Sequence, residues 1–170
     1  MSGQVNPIPD DEDDDFRLWQ EKVAGANISP QTLLATDYLN HFNEIVMLID
    51  MVADMPDLIE DCKDWQPKSY QQHFQDSSFS EKALAVEAYD HVPLRFRQPF
   101  EETVAQLNHL VAEALHRIED AINLNDPELV AARAHAASRG LQRLMDVANA
   151  IIHGSDIVMD QSQIDELLAI

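Results

Sequence analysis

One stretch of the chain carries residues with the types and spacing of a metal site. His109, Glu113, His116 and Asp120 stand at i, i+4, i+7 and i+11, so in a helix they share one face. Glu113-x-x-His116 is the element with which di-iron bundles hold their metals. Asp37, His41 and Glu44 form a second one-faced set. Two arguments oppose the metal reading. The 109–120 side chains fall roughly 140–200° from the apolar stripe of their own helix, toward water. Di-iron proteins also carry two Glu-x-x-His elements, and here there is one. No metal or other cofactor is assigned on these grounds; Asp37, His41 and Glu44 flank their core face more closely and are the better of the two sets.

Nucleophilic chemistry has less to build on. The sequence has no Gly-x-Ser-x-Gly elbow, no Gly-rich phosphate loop and no kinase-like set. Its single cysteine, Cys62, lies between Asp61 and Lys63 among further acids, a setting that disfavours a thiolate. It reads as a structural thiol, and one cysteine makes neither an internal disulfide nor a cysteine zinc cage.

The elements that must position these residues are helical. In 170 residues, 45% are apolar and only 4 are glycine and 8 proline, a composition for one domain with a real core and too few breakers for a turn-rich β fold. Asp plus Glu number 31 against 11 Lys plus Arg, a formal charge of −20. Such a field repels phosphate backbones and anionic membrane surfaces and attracts basic protein surfaces. No nucleic-acid or membrane partner is expected. The opening MSGQVNPIPDDEDDD has no basic segment followed by an apolar one, as a secretory signal would, so a cytoplasmic protein is expected.

Residues 1–28 read as an acidic, disordered arm, with Phe16, Leu18 and Trp19 pinning it to the domain. Residues 29–154 read as a bundle domain. Ser29 and Pro30 open a first long helix, 29–54, whose Ala35, Tyr38, Leu39, Phe42, Ile45, Val46, Ile49 and Ala53 fall within roughly ±60° of one line. Met47 and Met51 lie on its other side, so the helix is either central in the bundle or meets a partner, with a second copy of the chain as the first alternative. Short helices are expected at 56–65, around 70–74 and at 81–90. Trp65, Tyr70, His73, Phe74 and Phe79 cluster in this broken region, as a loop's own anchor or as a binding surface.

The longest periodic stretch follows Pro93 and Pro99, with Val104, Leu107, Val111, Leu115, Ile118 and Ile122 on one line. Asn125-Asp126-Pro127-Glu128 is a turn and N-cap. The next helix carries Val130, Ala134, Ala137, Leu141, Leu144, Ala148 and Ile151 and stops at Gly154. Two long helices joined so tightly are antiparallel neighbours. The expected fold is therefore all-α: an antiparallel bundle with three or more long helices, short accessory helices and an acidic arm.

Residues 155–170 form a last unit, in which Ile164, Leu167 and Leu168 share a face and Asp165 and Glu166 lie near its positive end. A helix this short needs a surface to dock on, its own bundle or a partner. Gln161-Ser162-Gln163-Ile164-Asp165-Glu166-Leu167-Leu168 resembles the C-terminal tail of the chemotaxis phosphatase CheZ family, Gln-x-Gln-Val-Asp-Asp-Leu-Leu. It is similar also to the N-terminal segment of the flagellar switch protein FliM. In both families the segment is a tethered helix that docks on the receiver domain of CheY. The resemblance implies a CheY-like partner, Ile164, Leu167 and Leu168 as apolar anchors, and Gln161, Gln163 and Asp165 as a polar rim. It covers eight residues of 170.

The CheZ family's dephosphorylation uses an acid and a Gln one helical turn apart. Here His73-Phe74-Gln75-Asp76 resembles its Asp-Phe-Gln-Asp run, but Ser80 stands where the catalytic Gln should follow Asp76. The acid-to-Gln pair at that spacing is Glu102 and Gln106. With the motif incomplete, no catalytic residue is assigned.

Overall fold

Two long helices carry most of the fold. The computed structural model describes residues 11–154, which hold seven α-helices and no strand. They are α1 (Asp11–Val23), α2 (Asn40–Val52), α3 (Ile59–Asp64), α4 (Tyr70–Asp76), α5 (Lys82–Tyr89), α6 (Leu94–Asn123) and α7 (Pro127–Ile152). The fold is all-α, as the periodicity predicts.

The α6–α7 hairpin forms where the sequence places it. Asn125 takes the left-handed conformation, φ 55°, which Asn tolerates better than most side chains. The Asp126 carboxylate then accepts from the Leu129 N–H at 3.1 Å, with Pro127 in the first helical turn. Facing surfaces are built from Leu107, Leu110, Ala114, Ile118 and Ala121 on α6 and Ala134, Ala137, Leu141, Leu144 and Ala148 on α7, all buried. Arg133 Nη1 also donates to the Arg117 carbonyl across the pair at 2.6 Å.

The first long helix is shorter than the spacing predicts. Helix does not begin at Ser29: Leu33 sits at φ 69°, a conformation no α-helix contains, and residues 36–39 form a 3₁₀ turn before α2 starts. What wins over local periodicity is burial. Thr32, Leu33, Leu34 and Ala35 are all buried, and the Thr32 hydroxyl donates to the Ile152 carbonyl at the far end of α7 at 2.5 Å. Gly154, at φ 105°, then closes α7 in a backbone conformation that favours glycine. The segment thus plugs the end of the hairpin, and α2 runs back along α7 from there. Ile45, Val46, Ile49 and Val52 face inward. Met47 and Met51 are 64% and 42% exposed, which corrects the central position the sequence suggests for this helix.

The acidic run expected within a flexible arm is helical from Asp11. Asp13, Asp14 and Asp15 lie toward the positive end of α1 and Lys22 lies in the last turn, both favourable to the helix dipole. Trp19 and Val23 are buried, and Ile28 follows them into the core. Trp19 stacks on His91 with ring centres 4.2 Å apart, and Asp15 Oδ2 meets His91 Nδ1 at 2.6 Å. Residues 1–10 of the expected arm and the 155–170 unit lie outside the described residues.

Because Trp19 is a large buried side chain of α1 that stacks on His91, Trp19→Ala is expected to cost about 3 kcal/mol and to release α1 first. Hydrogen exchange checks this: amides of 11–23 should lose protection while those of α6 and α7 keep it. Unchanged protection of α1 would show that another contact holds the helix.

Candidate functional site

The residues that concentrate chemistry meet where the 3₁₀ turn at 36–39 and α2 face α4. Three hydrogen bonds stitch the segments together. The Ala35 N–H donates to the Tyr70 hydroxyl at 2.8 Å, the Tyr38 hydroxyl to the Lys68 carbonyl at 2.7 Å, and Trp65 Nε1 to the His41 carbonyl at 3.0 Å. Ser69 caps α4 by accepting from the Gln72 N–H. That register brings His73 Nε2 to 3.0 Å from Asp37 Oδ2.

His41 lies beside this pair and is 5% exposed. Its ring stacks on Trp65 at 4.5 Å and stands 6.2 Å from the His73 ring. Its Nε2 is buried without a hydrogen-bond partner. Burial, reinforced by nearby His73 and Lys68 and opposed by a hydrogen bond to the Gln66 backbone, pushes its pKa down to about 4. His41 is thus neutral at ordinary pH. Asp37 and His73 form an acid–imidazole pair, the orienting half of a nucleophilic site, but among the described residues no nucleophile is seen to join them. Cys62 is buried, and burial together with Asp61 pushes its thiol up to about 11.

A cavity of about 370 Å³ opens next to the same node. Tyr38, Tyr70 and Phe100 wall it with buried rings, and Lys68, Glu101 and Asn108 add polar groups. Tyr70 and Tyr89 stack at 4.6 Å. The Tyr89 hydroxyl donates to Glu101 Oε1 at 2.7 Å, and burial followed by that carboxylate raises its pKa. Asn108 Oδ1 is shielded from solvent without a partner.

The sequence-derived candidates are distributed differently. His109, Glu113, His116 and Asp120 are exposed on the outer face of α6, and His116 Nε2 approaches Asp120 Oδ2 at 3.6 Å. Asp37, His41 and Glu44 do not converge. The 3₁₀ turn puts Asp37 out of α-helical phase with α2, so it pairs with His73 while Glu44 faces solvent. Among the described residues, no group of three or more His, Cys, Asp or Glu could hold a metal ion. Glu102 is exposed and accepts from Gln98 Nε2 at 3.3 Å, and Gln106, one turn on, is half-buried. Tyr70 and Phe74 are core, so the aromatic cluster of the broken region anchors it. Gln161, Gln163, Ile164, Asp165, Leu167 and Leu168 lie outside the described residues.

The sequence reading misses the cavity. Its walls come from four separated segments, and only one local signal was available. Glu101 and Asn108 stand seven residues apart on α6, polar positions on one side of the apolar stripe.

The buried imidazole has a pH consequence. In the unfolded chain His41 takes up its proton as pH falls through ~6.5, whereas the native state holds out to about 4. The native state therefore keeps this contribution in full above pH ~6.5 and loses it as pH falls from there to about 4. Each decade of proton affinity is worth about 1.4 kcal/mol, so the loss is on the order of 3 kcal/mol. Urea unfolding at neutral pH and near pH ~4.5 should show the wild type losing more stability than His41→Phe, by about 2 kcal/mol. Equal losses would remove His41 as the cause.

Compared with known proteins, the chain matches no family model, no curated protein sequence and no solved structure.

Proposed function

We propose that this chain is a non-catalytic helical docking protein that binds a CheY-like receiver domain through its C-terminal segment. The observation that carries the reading is the octet Gln161 to Leu168, whose order of polar and apolar residues matches the receiver-binding segments of two chemotaxis families. Ile164, Leu167 and Leu168 supply a face for a groove, and Gln161, Gln163 and Asp165 its rim.

The architecture of the body is compatible with that role. The last turn of α7 is closed by its own bonds, His153 N–H to Asn149 at 3.1 Å and Gly154 N–H to Ile151 at 2.9 Å. Ile151 and Ile152 are fully buried. The segment after Gly154 is thus joined to a fixed point. Phosphatase chemistry is left out of the proposal, since a Gln that must reach a partner's active site should be free to extend and Gln106 is half-buried.

Self-association through Met47 and Met51 is the second reading, favoured by their exposure. Charge opposes it. Glu44 and Asp50 are exposed on α2 and Asp54 just beyond its end, and two copies would bring these acids together at a net charge of −20 each.

The test compares full-length protein with a chain ending at Ser155, by calorimetric titration with a CheY-like receiver domain in its beryllofluoride-activated form. Full-length protein is expected to bind, the shortened chain to fail, and the two to melt alike. Ile164→Asp should weaken binding by about 2 kcal/mol or more, on the order of 30-fold. Absence of binding by the full-length chain, or equal binding by the shortened one, would refute the proposal.

A further inference from the structure

The methionines of α2 are a surface feature that the receiver-binding segment does not use. Among the described residues the exposed large apolar side chains are Leu18, Met47, Met51, Met55, Leu94 and Leu124. Single ones are ordinary on a protein surface. The three methionines, however, follow one another at i, i+4 and i+8. Met51 lies roughly 40° round the helix from Met47, and the Met55 N–H donates to the Met51 carbonyl at 2.9 Å, so the chain holds its helical course to that point. Ile45, Ile49 and Val52 take the inward side of α2. The methionine row therefore faces outward, over roughly 12 Å.

Carboxylates edge this row. Glu44 and Asp50 stand roughly 60° to either side of Met47 on the helix, and both are exposed, as are Asp54 and Asp57 just beyond it. From Val23 to Cys62 the chain has no lysine or arginine. The first base after that stretch, Lys63, is already held by Glu60 and Glu119.

Charge decides what can cover such a face. A second copy would set acid against acid. The chain's own outlying segments, 1–10 and 155–170, contain acids and no lysine or arginine, so neither complements it. Nucleic acid and anionic membrane are repelled for the same reason. What remains is a partner that is apolar along one line and cationic beside it. Methionine suits that task, because its unbranched, polarizable side chain adapts to apolar groups of differing shape.

We propose that this face docks a cationic amphipathic helix of a partner protein. The partner's apolar side chains rest on Met47, Met51 and Met55, and its lysines or arginines meet Glu44, Asp50 and Asp54. Residues 155–170 take no part, so this docking and the receiver-binding reading stand or fall separately.

The probe is a synthetic helix of about fourteen residues, roughly 20 Å long, with leucine on one face and lysine on the other. A scrambled peptide of the same composition keeps the charge and loses the face; a leucine–glutamate version keeps the face and reverses the charge. Titration into the full chain, labelled with ¹³C at its methionine methyls, should give saturable binding with the largest shifts at Met47, Met51 and Met55. The scrambled peptide should bind roughly tenfold more weakly or worse, and the acidic one not at all. Met47→Gln combined with Met51→Gln should weaken binding by roughly tenfold. Asp50→Asn combined with Asp54→Asn should weaken it too and flatten its dependence on salt. Leu124→Gln, at the exposed cap of α6, should change nothing. Every substituted side chain is exposed, so the variants keep the core intact. Equal affinity for the scrambled peptide would mean attraction by charge alone and overturns the proposal. So does absence of saturable binding, largest shifts at other methionines, or affinity untouched by the double methionine variant.

Discussion

Tyr38 is the point on which the accessory half of the molecule turns. Its side chain is fully buried, and its ring touches those of His41, Phe42, Tyr70, His73 and Phe100, which come from α2, α4 and α6. A phenol there must place its hydroxyl somewhere, since burying it unpaired costs free energy, and the Lys68 carbonyl accepts it. That one bond fixes the approach of residues 65–70. From it follow the cap of α4 at Ser69, the meeting of His73 with Asp37, and the outer wall of the cavity. Burial raises the pKa of this phenol far above the usual range, so it remains a donor at any pH the protein meets.

The distribution of charge follows from the same economy. With 31 acids and 11 bases, the chain cannot pair its carboxylates inside, so it exposes them, and the core is built almost wholly from apolar and aromatic side chains. Two of the partly buried groups that meet acids are imidazoles, His73 with Asp37 and His91 with Asp15. Few lysines or arginines are left for such contacts, and Lys63 and Lys68 are spent on carboxylates of α6 and α4, Glu119 and Asp76. Surface pairs of that kind contribute little to stability. The structure therefore rests on packing.

How much of this could be read from the sequence depends on the range of the interactions involved. The hairpin was legible because its determinants are local: a 3.6-residue repeat, an Asp cap, a proline in the first turn and a glycine at the end. The stretch 29–39 was not. Its apolar residues have helical spacing, yet Leu33 is pulled into a left-handed conformation by contacts with the end of α7, which lies about 120 residues further on. The helix of 11–23 was missed for the opposite reason. Its acid-rich composition speaks against order, and the burial of Trp19 and Val23, with Trp19 stacked on His91, reverses that. Of the candidate sites, Asp37 and His41 were found, but their partner His73 was not linked to them, since the 3₁₀ turn that aims Asp37 leaves no mark in the pattern. Tyr89, Glu101 and Asn108 come together only through tertiary packing.

Two orphaned acceptors remain around Tyr38, and their surroundings separate them. His41 Nε2 is enclosed by Trp65, Phe42 and the backbone. Its lone pair is tolerated because the neutral ring is held by stacking, and the cost appears as the lowered pKa. Asn108 Oδ1 has no such compensation. Its residue lies beside Glu101 and Tyr89, but the atom itself is closed off from solvent. A helix face that served packing alone would place a small apolar residue there, as α6 does at Ala114 and Ala121. An amide at this position leaves an acceptor unpaired inside the fold, at a cost of about 1–3 kcal/mol.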